Sequence, residues 1–232
     1  MAEDFATVPV LEAVPGLAHG FGRRARGPAP EARDATVRRV ARALQARGTL
    51  QLLRQVHGAT VADAPWQGLP EADAGVATRR GPLVGIQTAD CMPVLLVDPR
   101  RGFAAAAHAG WRGTVAGVTR ATVRALLARG SSASDLVAAL GPGIGPCCYE
   151  VGDELRTAFG KGGEAFFRSG PRGKPHLDVR AANVSQLLDE GLPADSIYHL
   201  AECTYCRPDL YHSYRRDGKG SGRMISFVGF AL

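Results

Sequence analysis

The chain has 232 residues, 45% of them hydrophobic and 22% charged, which is the composition of a soluble globular protein. Because no run of 18 apolar residues occurs, the sequence excludes a transmembrane helix. Glu3 and Asp4 stand where a secretion signal would carry lysine or arginine, and the length suits one domain over residues 1–232. We therefore expect a single-domain cytoplasmic protein.

The formal net charge of +6 comes mostly from arginine. The arginines are scattered, apart from a group on a predicted helix that is typical of a solvated face, Arg38, Arg39, Arg42 and Arg47. A nucleic-acid binder usually clusters its basic residues among aromatic ones. We therefore expect no nucleic-acid, membrane or obligate protein partner, whereas small anions such as phosphate are favoured as ligands.

The first predicted elements are a polar loop and a helix. The loop runs from Gly22 to Asp34 and is rich in glycine and proline. Val37, Val40 and Leu44 then fall on one helical face, and Gly48 ends the helix.

Four short apolar runs bounded by turn residues follow and predict strands. They are TLQLLRQV before His57, LVGIQT before Asp90 and Cys91, MPVLLV after Cys91, and FAAAA before His108. The turn DPRRG joins the last two runs, which predicts an antiparallel hairpin.

The second half of the chain alternates predicted helices and strands. One stripe of residues predicts an amphipathic helix over about residues 114–129, namely Val115, Val118, Thr122 and Leu126. The later elements are a strand at LVAAL, a short helix near Asp153, a helix capped by Asp178, and strands at SIYHL and MISFVGF. Hairpins combined with helical crossovers predict an α/β fold in which a mixed sheet is flanked by helices.

Three reactive side chains, His57, Cys91 and His108, each lie at the end of a predicted strand. Side chains of neighbouring strands converge there, and two histidines with one cysteine suit zinc while leaving a fourth tetrahedral position open for water. Their wide spacing is not a compact metal motif. Two other interpretations stay open: a nucleophilic Cys91 thiolate with His108 as its base, or an inert cysteine beside two hydrogen-bonded histidines.

Five cysteines are an odd number, which argues against a disulfide framework in a cytoplasmic chain. Cys203 and Cys206 form a lone CxxC, a pattern found in zinc half-sites and in redox pairs. A second half-site is not evident, because Cys147 and Cys148 are adjacent. We therefore predict that the CxxC thiols are structural.

Two glycine-rich segments are further candidates. GPGIGPCC has neither the dinucleotide-binding nor the P-loop spacing. Two interpretations fit this segment equally well: backbone amides that bind an anion, or an irregular active-site loop with no role in phosphate binding. YHSYRRDGKGSGR places aromatic rings, including Tyr211, near Arg215. That arrangement suits a purine base and a phosphate, although it is also common in surface turns.

Together these segments resemble a known family. QVHG, TADCMPVLLVD, AAHAGWRGT, GPGIGPCCYEVG and CTYCRPDLYHSYRRDGKGSGRM, in this order, are similar to the YfiH family, also called the multicopper polyphenol oxidase or laccase-domain family and peptidoglycan editing factor PgeF. The resemblance spans about His19 to Phe230. It implies one α/β domain related to the cytotoxic necrotizing factor hydrolases, and a zinc site made by His57, Cys91 and His108.

The resemblance also implies an activity, namely phosphorolysis of adenosine, inosine, guanosine or methylthioadenosine, and deamination of adenosine. The candidate residues are Cys91, His108 and Asp90 for catalysis, and Trp111, Arg112 and Arg215 for substrate binding. Asp90 would act as an acid or base or would orient the ligands, and the helix start near Thr114 would favour phosphate. Near the N-terminus, HGFGRRARGPAP departs from the family's HGFSTR-GG-S block, with Arg23 in the place of the arginine.

Two other functions remain as alternatives. The laccase name implies copper-dependent phenol oxidation, and copper competes well for sites with nitrogen and sulfur ligands. Multicopper chemistry needs many histidines, however, and this chain has six. The PgeF name implies a role in editing peptidoglycan precursors through the same pocket.

Overall fold

The part of the chain that this computed structural model describes, residues 4–25 and 32–232, contains strands and helices in similar amounts. The strands, in chain order, are β1 (Phe5–Ala6), β2 (Leu17–Gly22), β3 (Thr49–Gln51), β4 (Val61–Ala64), β5 (Ala74–Ala77), β6 (Pro82–Thr88), β7 (Met92–Asp98), β8 (Phe103–Ala109), β9 (Val137–Leu140), β10 (Phe167–Ser169), β11 (Pro175–Leu177), β12 (Ile197–His199) and β13 (Met224–Phe230). The helices are α1 (Pro9–Glu12), α2 (Arg33–Leu44), α3 (Trp111–Val115), α4 (Val118–Ala128), α5 (Asp153–Phe159), α6 (Val179–Asp189) and α7 (Tyr214–Asp217).

Two mixed sheets stack face to face. The first has the strand order β1-β2-β13-β6-β3 and the second the order β12-β9-β7-β8-β5-β4, while β10 and β11 form a separate ribbon. Helix α2 covers the outer face of the first sheet, and α4 and α6 cover the outer face of the second. The predicted α/β class with flanking helices is confirmed, with two stacked mixed sheets in place of one.

The central strands of the second sheet are buried on both faces. In β7, Val94 and Leu96 face the helices, whereas Leu95 and Val97 face the other sheet. The alanines of β8 alternate in the same way between the two cores. Because both faces lie in apolar surroundings, these strands are continuous apolar runs in the sequence and show no alternation with polar residues.

The predicted hairpin between β7 and β8 is confirmed, and its register pairs Met92 with Ala109 and Asp98 with Phe103. Asp98 fixes the turn: one carboxylate oxygen accepts from the amides of Arg100 and Arg101, each at 3.0 Å. This end of the hairpin is closed, so the opposite end, where Cys91 and His108 lie, is the end that faces a cavity.

The helix predicted over about residues 114–129 is two helices. α3 begins at Trp111, earlier than expected, and Gly117 separates it from α4 with a left-handed φ of 81°. The predicted stripe crosses this break in the sequence, but in the structure Val115, before the break, is exposed, whereas Val118 and Leu126, after it, face the core. The helix capped by Asp178 is confirmed as α6, with its carboxylate accepting from the amide of Ala181 at 3.0 Å.

The run TLQLLRQV is only partly a strand. β3 ends at Gln51, because the carbonyl of Leu52 accepts a hydrogen bond from the indole of Trp66 at 2.8 Å and no longer pairs in the sheet. The predicted loop from Gly22 to Asp34 is shorter than expected, since α2 begins at Arg33, and residues 26–31 of it lie outside the described residues.

The described helices are short. None of those within residues 4–25 and 32–232 is both long enough and apolar enough to cross a membrane.

Candidate metal centre and active site

The structure brings His57, Cys91 and His108 together. His57 lies in the loop after β3, Cys91 in the turn between β6 and β7, and His108 near the end of β8. One nitrogen of each histidine and the cysteine sulfur all lie within 4.8 Å of one another, and the two imidazole rings meet edge to face with centroids 4.8 Å apart. The three side chains therefore converge as the sequence predicted, although His57 lies in a loop six residues after the end of β3 and not at a strand end.

Gly110 makes room for this cluster. A Cβ atom at this position would lie 2.8 Å from the Cys91 sulfur and 3.3 Å from the His57 ring. Cβ atoms do not approach a heavy atom that closely, so any side chain here would displace a member of the cluster. This explains why the segment HAGWRG has a glycine directly after the strand that carries His108.

Asp73 holds two of the three residues in place, and the sequence analysis missed it. Its carboxylate accepts from the amides of Val56, His57 and Gly58 at 3.1, 2.9 and 2.7 Å, and lies 2.8 Å from His108 Nδ1. The side chain is fully buried. Because Nδ1 of His108 faces Asp73, Nε2 is the nitrogen available toward Cys91, and the partner that orients His108 is Asp73, not Asp90.

The backbone at His57 also depends on Asp73. His57 has a φ of 64°, a left-handed conformation that is uncommon for residues other than glycine. Three consecutive amides pointing at one carboxylate compensate this conformation. A lone aspartate ahead of the run AGVA gives no local sign of this role, which is why sequence reasoning passed over it.

The cluster is electrostatically coupled. Burial on its own raises the pKa of the Cys91 thiol, but His108 and His57 outweigh burial and lower that pKa to about 6. Burial likewise lowers the pKa of His108, but Cys91 and Asp73 outweigh it and raise that pKa to about 9. A thiolate beside an imidazolium is thus the favoured state near neutral pH without a metal.

A cavity of 510 Å³ opens beside the cluster. This size lies within the range of about 300–1,000 Å³ that is usual for small-molecule sites. Its lining includes His57, Cys91 and His108, two tyrosines and three arginines, Tyr149, Tyr214, Arg33, Arg215 and Arg223. The cavity therefore combines a metal-ligating wall with aromatic faces and positive charge.

Asp90 lies on the cavity wall with a left-handed φ of 90°. One carboxylate oxygen accepts from the hydroxyl of Thr204 at 2.6 Å, and the other accepts from the amide of Arg215 at 2.7 Å. Asp90 therefore ties the segment that begins α7 to the turn that carries Cys91.

Of the three predicted substrate-binding residues, two line cavities and the third, Arg112, lies in the lining of neither. Arg215 lines the main cavity, and its guanidinium donates to the carbonyl of Glu150 at 2.6 Å. Trp111 lines a smaller neighbouring cavity of 390 Å³ that shares Tyr149 and Arg215 with the first. Arg112 is exposed, and its guanidinium lies 4.4 Å from the centre of the Trp111 ring.

Two expectations about ligand contacts need correction. Tyr211 is fully buried, and its hydroxyl donates to Glu202, so it offers no face on which a base can stack. Phosphate binding by a long helix starting near Thr114 is also wrong in its premise, because α3 has five residues and too few aligned peptides for an anion site. The cavity is lined instead by Tyr214, another ring of the YHSYRRDGKGSGR segment, and by Arg33, which sequence reasoning did not single out.

The structure also shows a second cysteine pair next to the CxxC, which was not evident from the sequence. Cys147 and Cys148 lie beside Cys203 and Cys206, and the four sulfurs are within 4.8 Å of one another. Their separation in the sequence concealed this contact.

An α/β fold that presents a thiol–imidazole cluster to a cavity is characteristic of enzymes. The sequence matches the family described as multi-copper polyphenol oxidoreductase laccase over residues 22–231, and the chain belongs to this laccase-like YfiH family. The chain is 43% identical over 180 residues to a purine nucleoside phosphorylase of Streptomyces coelicolor, covering 76% of this chain and 73% of that protein. It is 38% identical over 194 residues to an adenosine deaminase of an unknown prokaryotic organism, covering 77% and 74%.

Solved structures agree with the sequence comparison. The crystal structure of YlmD from Geobacillus stearothermophilus has a TM-score of 0.86 and 28% identity, with 99% of this chain and 100% of that chain covered. Bacillus licheniformis YfiH has a TM-score of 0.86 and 25% identity over 94% of each chain. The predicted family is therefore confirmed, and with it the assignment of the chain as an enzyme.

Proposed function

We propose that the chain is a zinc-dependent purine nucleoside enzyme. It would catalyse phosphorolysis of adenosine, inosine, guanosine or methylthioadenosine, and deamination of adenosine. The observation that carries this proposal is the cluster of His57, Cys91 and His108 on the wall of a 510 Å³ cavity. The similarity to proteins named purine nucleoside phosphorylase and adenosine deaminase supports the substrate class.

The residues present fit a zinc ion. Two imidazoles and a thiolate are the donors zinc prefers, and Asp73 holds His108 with Nε2 toward the site, as carboxylates do behind metal-bound histidines. When bound, zinc supplies a Lewis acid at the cavity wall, which lowers the pKa of water and favours attack on purine C6. The particular metal belongs to the proposal, because the same donors also accept copper.

The cavity wall supplies contacts for a nucleoside. Tyr214 lines the cavity and is half exposed, so its ring is available to stack on a purine, and Tyr149 also lies in the lining. Arg33, Arg215 and Arg223 provide positive charge for phosphate. In phosphorolysis a phosphate oxygen attacks C1′ of the ribose, and the bond between C1′ and N9 breaks with its electrons going to the base.

Three residues are proposed for the chemistry, Cys91, His108 and Asp90. Cys91 and His108 hold opposite charges at neutral pH and line the cavity together. Asp90 is the proposed acid or base, although both of its oxygens already accept hydrogen bonds. Replacement by asparagine tests this role, because Asp90→Asn keeps one acceptor and cannot transfer the proton.

The decisive experiment follows the products from adenosine by chromatography, with and without phosphate. We expect inosine without phosphate, and adenine with ribose 1-phosphate when phosphate is added. Cys91→Ala should abolish both products and lower the metal content. His57→Ala should have the same two effects, and its matched control His199→Ala, at an exposed position, should leave the products and the metal content unchanged. A folded Cys91→Ala protein that has lost the metal ion of this cluster and still shows wild-type turnover would refute the mechanism.

Copper-dependent phenol oxidation is the second candidate, and the name of the matching family favours it. Only one of the two donor clusters found within the described residues contains histidine, which is far from the histidine-rich clusters of a multicopper oxidase. Oxygen uptake with a phenol, measured on copper-loaded protein, separates the two functions. Turnover of muropeptide precursors in the same screen would favour the editing role.

The remaining proposals concern context. We propose that residues 1–232 form one cytoplasmic catalytic domain whose partners are nucleosides and phosphate. Nucleic acid, membrane and an obligate protein partner are not part of this proposal.

A further inference from the structure

Four of the five cysteines lie on two loops that the second sheet brings together. Cys147 and Cys148 lie between β9 and α5, whereas Cys203 and Cys206 lie between β12 and α7. β9 and β12 pair in parallel, so both loops leave the sheet at the same edge. A bridge between Gly143 and Cys203 continues this pairing beyond the strands.

The sulfur positions match a single tetrahedral ion. Cys206 Sγ lies 3.3 Å from Cys148 Sγ and 3.8 Å from Cys147 Sγ, and all four sulfurs are within 4.8 Å of one another. Zinc bound to four thiolates at about 2.3 Å places neighbouring sulfurs about 3.8 Å apart. Sulfurs bound to a four-iron cluster lie farther apart, and all four cysteines here are free of disulfides.

Two features beside the cluster favour negatively charged sulfur. The amide of Gly145 donates to the Cys203 sulfur at 3.2 Å, a contact that stabilises a negative sulfur. Arg180 shares a surface cavity with Cys147 and Cys203. Its buried Nε atom has no hydrogen-bond partner among the described residues, so its charge is available to a negatively charged neighbour.

We propose that Cys147, Cys148, Cys203 and Cys206 bind one zinc ion in a closed structural site, separate from the His57–Cys91–His108 centre. Four soft sulfur donors at tetrahedral spacing are the donor set of structural zinc, and they leave no position open for substrate. The site does not depend on the proposed nucleoside activity.

This zinc site would connect the two loops that flank the main cavity. Thr204, inside the CxxC, donates to Asp90, and Arg216 donates to the carbonyl of Thr204 at 2.9 Å. Tyr149, which lines the cavity, directly follows Cys148. The ion would therefore fix the position of the cavity wall without touching the substrate.

The metal content of the whole chain tests the proposal. Protein purified without added metal should contain about two zinc ions per chain if both clusters bind one ion each. Cys91→Ala should lower the content to about one, and its zinc X-ray absorption should then show four sulfur neighbours near ~2.3 Å and no nitrogen. Adding Cys206→Ser to Cys91→Ala should remove this ion, whereas adding Ser196→Ala, in the turn before β12, should not.

Three results would overturn the proposal. The first is wild-type protein that contains a single metal ion, the one that Cys91→Ala removes. The others are iron in place of zinc, and native disulfides among the four cysteines found by non-reducing mass spectrometry. The zinc content and the thiol state are measured on the wild-type protein, so they can refute the proposal even if a variant fails to fold. Cys203→Ser/Cys206→Ser should keep activity within about tenfold, which is about 1.4 kcal/mol of barrier. A greater loss in folded protein would contradict a purely structural role.

Discussion

Replacement of Asp73 by asparagine is the sharpest test of how the candidate centre is built. The carboxylate accepts from three consecutive amides and from His108, so four donors point at two oxygens. Asparagine keeps one oxygen and turns an NH2 group toward donors, which leaves one or two of these donors unpaired. Each unpaired buried donor costs about 1–3 kcal/mol, so we expect Asp73→Asn to lose roughly 2–4 kcal/mol of unfolding free energy.

The same change should weaken metal binding. Removal of a carboxylate behind a metal-bound histidine typically costs about 10–100-fold in affinity or activity. Zinc competition titrations and urea unfolding of the metal-free protein measure the two effects separately. Asp195→Asn, at an exposed carboxylate, is the matched control and should change neither quantity.

The stability effect of Asp73 should depend on pH in a defined direction. Although burial raises the pKa of this carboxyl, the hydrogen bonds from His108 and the amides outweigh burial and hold the pKa below its usual range. The stabilisation is therefore fully present above the ordinary pKa of about 4 and is lost as the pH falls through the lower folded value. If Asp73→Asn changed the unfolding free energy by less than about 0.5 kcal/mol at neutral pH, the assigned role would be wrong.

Three further outcomes follow from the site geometry. Gly110→Ala should reduce metal content and activity, since its Cβ would lie 2.8 Å from the Cys91 sulfur. The control Gly162→Ala, with open space around its Cβ, should reduce neither. Equal metal content in the two variants would contradict this expectation. In metal-free protein, alkylation of Cys91 by iodoacetamide should fall with an apparent pKa of about 6 as the pH is lowered, and His108→Ala should raise that pKa, because it removes the positive charge. Tyr214→Ala should raise KM about fivefold with little change in kcat, as expected for the loss of about 1 kcal/mol of base stacking; an unchanged KM would remove Tyr214 from the binding site.

The sequence predicted the parts of the fold that carry a local signal. The β7–β8 hairpin has two apolar runs joined by DPRRG, and α6 has Asp178 at its start, so both were found. The break at Gly117 was missed because Val115 and Val118 are at helical spacing in the sequence, although Val115 is exposed in the structure. The stacking of two sheets was missed because which faces pack together depends on pairings between residues far apart in the chain.

The candidate site likewise contains residues that the sequence predicted and residues that it did not. Each of its three donors follows or ends an apolar run, so their convergence was predictable from these runs, although the run before His57 is a strand only up to Gln51. Asp73 and Arg33 act through contacts with residues distant in the sequence, and neither stands in a recognisable motif. The pairing of the two cysteine loops likewise depends on the parallel contact between β9 and β12.

The alanines of β8 leave no room for larger side chains, so few substitutions are expected to be tolerated at these positions. A methyl added to Ala106 would press on the neighbouring sheet, whereas one added to Ala105 would press on the helical layer. Such overpacking typically costs about 1–3 kcal/mol, and it would displace the strand that ends in His108 in one direction or the other. A comprehensive mutational scan should therefore find Ala104–Ala107 nearly as intolerant as the metal donors themselves, although none of these methyl groups reaches the cavity.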